Sequence, residues 1–139
     1  MPQERAGPDL TSLTRALAEA QGVEATMSFF GPDAVYDMSA FGLPRFAGRA
    51  EIRAFVSDWY ASYEQADDEV QEIVELGNGV VFAVVRETAR PAGSPEDAVV
   101  RARYGLIVKW SDGHVAQVTV DPDVDAARVA AGRLAEGRA

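Results

Sequence analysis

Two dipeptides, Asn78-Gly79 and Asp112-Gly113, constrain the fold more than any other feature of this sequence. Both positions of a tight two-residue hairpin turn need a positive φ, which Asn, Asp and Gly tolerate best. Each dipeptide lies between runs rich in Val, Ile and aromatic residues, which are typical of strands. The pattern predicts an antiparallel meander with strands over 70–76, 80–89, 99–110 and 114–120.

The first part of the chain has helical periodicity instead. Asp9 can cap a helix with Leu10, Leu13 and Leu17 on one face, and Gly22 is expected to end it. A second short helix is predicted over 23–30, and a strand over 34–38 follows the breaker pair at 31–32.

The clearest amphipathic helix begins after Gly48 and is expected to end near Gln65. Its apolar face carries Ile52, Phe55, Val56, Trp59 and Tyr63. A last helix, rich in Ala and Arg, is predicted after Asp123.

Helices followed by a meander predict an α+β fold rather than a parallel α/β sheet. The 139 residues leave room for one core, so we expect a flexible N-terminus over 1–8 and a single domain over 9–139. The 13 basic and 22 acidic residues give a net charge of −9, which disfavours nucleic acids and anionic membranes as partners. No apolar run approaches the roughly 20 residues that span a bilayer, so a cytoplasmic location is predicted.

Cofactor signals are missing from the sequence. Cysteine is absent, and His114 is the only histidine, which argues against thiolate and multi-histidine metal sites. The sequence contains no phosphate-binding glycine loop and no dinucleotide fingerprint. We therefore predict neither a metal nor a cofactor.

The segment GPDAVYD at 31–37, followed by FAGRAEIRAF at 46–55, resembles the SnoaL-like branch of the nuclear transport factor 2 (NTF2-like) superfamily, which includes polyketide cyclases and ketosteroid isomerases. The resemblance extends over about 23–127. It implies a cone-shaped roll, in which a curved mixed or antiparallel sheet wraps around the N-terminal helices and one long helix. It also implies a homodimer.

The interior of such a cone is expected to bind a small apolar or aromatic molecule. The residues predicted to line it are Tyr36, Met38, Phe55, Trp59, Tyr63, Phe82, Tyr104, Val118 and Val120. The alternative is that these side chains form an ordinary core.

Two aspartates are the candidate catalytic residues. By the resemblance, the general base of the isomerases falls on Met38, so that Asp37 is one residue away. The acid of the cyclases falls on Val120, or on Asp121 if the strand register shifts by one. Asp121 is alternatively part of a helix cap, and Asp37 alternatively lies on the outer face of its strand.

The resemblance leaves the function open, because one fold hosts many activities. We expect a small-molecule-binding domain that acts as a cofactor-independent isomerase, cyclase or dehydratase by general acid–base proton transfer. The alternatives are a non-catalytic domain that binds a ligand or dimerises, and an epoxide hydrolase. An acid that faces the cavity would favour the enzyme.

Overall fold

The computed structural model describes residues 9–95 and 97–137. The predicted flexible segment at 1–8 lies outside the described residues. The described chain contains four helices, one 3-10 turn at Ser39–Phe41 and six strands. In chain order they are α1 (Leu10–Ala18), α2 (Val23–Met27), β1 (Phe30–Asp37), β2 (Arg45–Ala47), α3 (Arg49–Ala61), β3 (Tyr63–Gly77), β4 (Val80–Pro91), β5 (Val100–Ser111), β6 (His114–Asp121) and α4 (Val124–Ala135).

All six strands form one mixed sheet in the order β2-β1-β6-β5-β4-β3. β3 to β6 are joined antiparallel in sequence, as the turn signals predict. β1 pairs with β6 in parallel, and the short β2 pairs antiparallel with β1 at the edge. The predicted α+β class with a mixed sheet is confirmed.

The turn and cap predictions are also confirmed. Asn78 and Asp112 have φ of 55° and 53°, and each is followed by a glycine with positive φ. Asp9 accepts hydrogen bonds from the first backbone N–H groups of α1. Asp123 accepts one from the N–H of Ala126 in α4.

Several boundaries differ from the predictions, including the end of α2, which lies at Met27 rather than at residue 30. α3 ends at Ala61 and β3 already begins at Tyr63, whereas the periodicity predicts a helix to about residue 65 and a strand only from residue 70. β1 begins at Phe30, so Gly31 and Pro32 lie inside the strand. Its pairing with β6 shifts between Phe30 and Val35, and this irregularity accommodates the breaker pair.

The sheet carries a core on each face. On the inner face, α1, α2 and α3 pack against side chains such as Val81, Ala83 and Val108. On the outer face, α4 covers Val80, Phe82, Val84 and Ile107. The six residues at 80–85 alternate between the two cores and are all fully buried.

The contact of α4 with the outer face depends on Gly105 of β5. A Cβ atom at this position would lie 2.4 Å from the Cβ of Ala127 and 3.4 Å from Cε1 of Phe82. Glycine therefore lets the helix approach the strand backbone closely. Arg128, one residue along α4, places its guanidinium 4.8 Å from the centre of the Phe82 ring.

Two glycine-to-alanine substitutions should have opposite effects on stability. Gly105→Ala should lower the free energy of unfolding by about 1–3 kcal/mol, because the added methyl group overpacks the contact with α4. Gly132→Ala in α4 should raise it by about 0.5–1 kcal/mol, since its Cβ would meet no atom within 4 Å and alanine favours the helix. Urea denaturation of both variants tests this pair. Equal effects of the two substitutions would contradict the close approach at Gly105.

Candidate functional site

A cavity of about 430 Å³ lies between the inner face of the sheet and the helices. This volume falls within the range of about 300–1,000 Å³ that is common for small-molecule sites. Most of its wall is apolar or aromatic. The lining includes Leu17, Thr26, Tyr36, Met38, Phe41, Leu43, Phe55, Val56, Trp59, Tyr60, Tyr63, Asp68, Glu87, Val100, Tyr104, Leu106, Val118 and Val120.

Two carboxyl groups, those of Asp68 and Glu87, lie in this wall. Asp68 is on β3 directly opposite Glu87 on β4. Side chains on one face of paired strands lie about 5 Å apart at their Cβ atoms, so the two carboxyl groups are neighbours. Around Asp68 the strand alternates, with Asp67 and Glu69 exposed and Asp68 half-buried, which places this acid at a core-facing position.

Burial raises the pKa of Asp68 to about 7, and the adjacent Glu87 carboxyl contributes to this rise. Burial also raises the pKa of Glu87 above its ordinary value. Two like charges this close in an apolar wall oppose each other, so near neutral pH the pair retains a proton on Asp68. The pair therefore offers a proton donor and a proton acceptor side by side.

Tyr104 and Tyr36 are the tyrosines whose pKa values respond to the acid pair, and Arg103 also lies in the wall. The Tyr104 hydroxyl contacts the Asp68 carboxyl and partly opposes the rise in the pKa of Asp68. Burial, together with the nearby acids, raises the pKa of both tyrosines well above the ordinary value. Both phenols therefore stay protonated and can donate hydrogen bonds.

One oxygen of Asp68 has no partner. Its Oδ1 is buried and accepts no hydrogen bond from the described residues. Leaving a buried polar group unpaired costs about 1–3 kcal/mol, and a hydrogen-bond donor on a ligand in the cavity would supply the missing partner.

Aromatic rings form one side of the cavity. The Tyr36 and Phe55 ring centres lie 5.3 Å apart, and those of Trp59 and Tyr63 lie 5.1 Å apart. The hydroxyl of Tyr60 donates to the carbonyl of Ala20 at 3.0 Å, which ties α3 to the segment after α1. These contacts hold a rigid wall that suits a flat or apolar molecule.

Neither aspartate predicted to be catalytic borders the cavity. The Asp37 carboxylate lies 3.5 Å from Nε of Arg45 and accepts a hydrogen bond of 2.9 Å from the Ser39 N–H. Asp121 accepts a hydrogen bond of 2.9 Å from the N–H of Asp123. Both lie at the last position of their strands, where exposed backbone N–H groups compete for carboxylates.

Eight of the nine residues predicted to line the cavity lie in its wall: Tyr36, Met38, Phe55, Trp59, Tyr63, Tyr104, Val118 and Val120. The expectation for Phe82 is wrong. Phe82 is on β4 between inward-facing Val81 and Ala83, and it therefore packs under α4 on the opposite face.

Sequence reasoning missed Asp68 and Glu87 because β3 was predicted to begin at residue 70. The signal that could have found them is the turn at 78–79. Counting back from this turn along both strands brings Asp68 and Glu87 close together, although two irregularities in the ladder make the count inexact.

Other site types receive no support from the described residues. Within 9–95 and 97–137, no group of three or more His, Asp or Glu side chains is arranged to hold a metal ion. No helix in the same ranges is long and apolar enough to cross a membrane.

A family model for the SnoaL-like domain matches residues 11–118, and the chain therefore belongs to the SnoaL-like domain family. No curated protein matches the chain. Solved structures share its NTF2-like α+β cone.

Three of these structures illustrate the range. A candidate polyketide cyclase from Pseudomonas putida KT2440 has a TM-score of 0.65 and 19% identity over 82% of this chain and 91% of its own. A protein with a ketosteroid isomerase-like fold from Catenulispora acidiphila DSM 44928, in complex with trimethylamine, has a TM-score of 0.67 and 15% identity over 83% and 85%. TerC, crystallised with polyporic acid, has a TM-score of 0.63 and 16% identity over 86% and 95%. At these identities the likeness shows the fold alone.

The raised pKa of Asp68 should make the protein less stable as the pH rises. The pKa of about 7 in the folded state exceeds the ordinary value of 3.8, so the folded state binds more protons between these values. The contribution of Asp68 to stability is then highest below about pH 4 and falls up to about pH 7. Asp68→Asn should remove this loss and gain on the order of 1–3 kcal/mol over the wild type at about pH 8.

Asp121→Asn is the matched control, because it removes the same charge outside the cavity. It should show the wild-type pH dependence. Urea denaturation at about pH 4.5 and pH 8 measures both variants. If Asp68→Asn keeps the wild-type pH dependence of stability, the pKa of the Asp68 carboxyl is not raised in the folded protein.

Proposed function

We propose that this domain is a cofactor-independent enzyme that removes a proton from the carbon atom next to the carbonyl group of a small apolar or aromatic compound, and so starts an isomerisation, a cyclisation or a dehydration. The observation that carries the proposal is the pair of Asp68 and Glu87 carboxyl groups in a cavity whose wall is mostly apolar and aromatic. A carboxyl group with a pKa of about 7 can act as either acid or base at neutral pH.

The first step would be proton removal next to the carbonyl group of the substrate. The C–H bond breaks, the proton passes to the Asp68 carboxylate, whose ionised fraction grows as the pH passes about 7, and the electron pair moves to the carbonyl oxygen. The resulting enolate needs a hydrogen-bond donor at its oxygen. Tyr36 is suited to this, because its side chain lines the cavity and burial keeps its hydroxyl protonated.

The second step would return the proton to a different atom. As the carbonyl group reforms, the C=C electron pair of the enolate takes this proton from the carboxyl group at another carbon atom, attacks a second carbonyl group whose oxygen takes the proton, or expels a leaving group that takes the proton. The Tyr104 hydroxyl, in contact with Asp68, would orient this carboxyl group during both steps. The apolar wall favours the transfer, since it keeps water away from the enolate.

The structural relatives support a small organic ligand. Their names include a candidate polyketide cyclase, and two were crystallised with polyporic acid or trimethylamine. These names concern those proteins. For this chain, the aromatic wall and the acid pair support the choice of a carbonyl compound.

The exchange of hydrogen for deuterium next to the carbonyl group of a model ketone tests the proposed activity. The protein should accelerate deuterium uptake by β-tetralone in heavy water above the spontaneous rate, as followed by proton NMR. Asp68→Asn should reduce this acceleration by about 100-fold or more, the usual contribution of a positioned acid or base. Asp37→Asn and Asp121→Asn should keep it, because neither carboxylate borders the cavity.

The rival function is ligand binding without chemistry. If the wild type binds β-tetralone in calorimetry but exchange proceeds at the spontaneous rate, the domain is a binding protein for this class of molecule. Loss of exchange in Asp37→Asn or Asp121→Asn, but not in Asp68→Asn, would place the acid elsewhere.

The pH dependence of exchange tests the role of Glu87. The rate should rise with pH through about 7, as the pair loses its remaining proton. Glu87→Gln removes a neighbouring charge that raises the pKa of Asp68, so the midpoint should move to lower pH. A midpoint that stays unchanged, measured with β-tetralone from about pH 5 to 9, would show that the two acids do not interact.

Homodimerisation and a cytoplasmic location stay predictions. α4 lies over the outer face of the central strands, so a dimer through this face would have to include α4 or use the flanking strands. Sedimentation equilibrium of the purified protein measures the state of assembly.

A further inference from the structure

Large apolar side chains are exposed where the cavity opens. Of the seven such side chains among the described residues, Phe41, Leu43 and Val100 also line the cavity. Their exposed fractions are 44%, 44% and 51%. We call these three residues the mouth patch. An exposed apolar group that is continuous with a cavity often belongs to the binding surface.

β5 shows the direction in which the cavity opens. Its inward-facing positions become steadily more exposed from Leu106, at 5%, through Tyr104 to Val100. Ala102 lies opposite Glu87 in the strand pairing. Val100 is two residues further along and therefore about 7 Å beyond the acid pair, at the open end.

The other two residues of the mouth patch lie on an ordered turn. The N–H groups of Phe41 and Leu43 donate to the carbonyl of Met38 at 2.9 and 3.3 Å. At the start of the same turn, the Asp37 carboxylate accepts a hydrogen bond from the N–H of Ser39. The backbone bonds thus fix Phe41 and Leu43 at the opening, and no element of the described chain covers them.

We propose that the ligand of this domain is elongated, with its reacting group at Asp68 and Glu87 and an apolar tail that leaves the cavity over Phe41, Leu43 and Val100. This inference rests on the proposed function and adds the substrate class. A compact ligand would fill the cavity and leave the mouth patch in water. A tail that lies on the patch removes apolar surface of both protein and ligand from water.

A series of para-n-alkyl acetophenones, from methyl to octyl, tests the inference by titration calorimetry. Each additional methylene that lies on the mouth patch should lower the dissociation constant by about fourfold. In the double variant Phe41→Ser, Leu43→Ser the gain per methylene should be lost for the longer members. The methyl compound should lose much less affinity than the octyl compound, because its short substituent ends before the mouth patch.

Val129→Ser is the matched control. Val129 is an exposed apolar residue on α4, with 56% of its surface accessible, and it does not line this cavity. This variant should retain the wild-type dependence on chain length. All replaced residues are exposed, so the variants should fold, and their urea denaturation curves check this.

The outcomes separate the inference from the proposed function. If the methyl compound binds and exchanges deuterium, but chain length affects the wild type and the double variant equally, only the inference fails. If no member of the series binds to the wild type, both fail. If the double variant instead lowers the molecular mass of the ligand-free protein in sedimentation equilibrium, the mouth patch is a contact between two copies of the chain and the inference is overturned.

Discussion

The register of the β3–β4 hairpin determines the rest of the site. Side chains alternate between the faces of a strand, so a shift of one residue would move Asp68 from the cavity to solvent. The register follows from the turn at Asn78-Gly79 and from shifts in the ladder between Val70 and Glu72 and between Glu75 and Gly77. The Asn78 side chain also donates to the carbonyl of Ala135 at the end of α4, so the turn is attached to the outer helix.

The two faces of the sheet differ in how tightly they are packed. The outer face is closed by small residues of α4, chiefly Ala127, Ala131 and Ala135, which pack on the central strands. The inner face leaves a cavity and brings two acids together at an energetic cost. A protein has only about 5–15 kcal/mol of net stability, so the tightly packed outer face supports the less favourable arrangement inside. Arg128 of α4, which bonds to Glu72 of β3 at 2.5 Å, reinforces this support at the edge of the sheet.

Local signals in the sequence predict the α+β class and the hairpins, whereas the mixed sheet is predicted from the family resemblance. Turn residues and helix caps act within a few residues, and for this reason the hairpins and the starts of α1 and α4 are correctly predicted. The aromatic face of α3 was recognised from its periodicity, and Phe55 and Trp59 do line the cavity. The continuous apolar run at 80–85 has no polar alternation, so its pattern could not assign Phe82 to a face.

The candidate acids required information that is not local. The sequence EQADDE at 64–69 has the composition of a solvated segment, and only its pairing with β4 turns Asp68 inward. Asp37 and Asp121 are next to cavity-lining residues in the sequence, but each carboxylate accepts a hydrogen bond from a neighbouring backbone N–H group. The position of an acid in the sequence therefore does not show its surroundings, which depend on the hydrogen-bond donors that the fold brings close to its carboxylate.

The complete burial of residues 80–85 has a consequence for how the chain reaches its folded state. The run Val-Val-Phe-Ala-Val-Val has a high β propensity and no charge, which are the features of segments that associate between chains. In the folded protein neither of its faces touches water. Pairing with β3 covers one edge of this run. Because a two-residue turn joins the two strands, this pairing needs the shortest loop closure available to β4. The charged Arg86 and Glu87 directly follow this run, and charges that flank an apolar strand disfavour such association, so one of the acids of the candidate site also has the position of a gatekeeper residue.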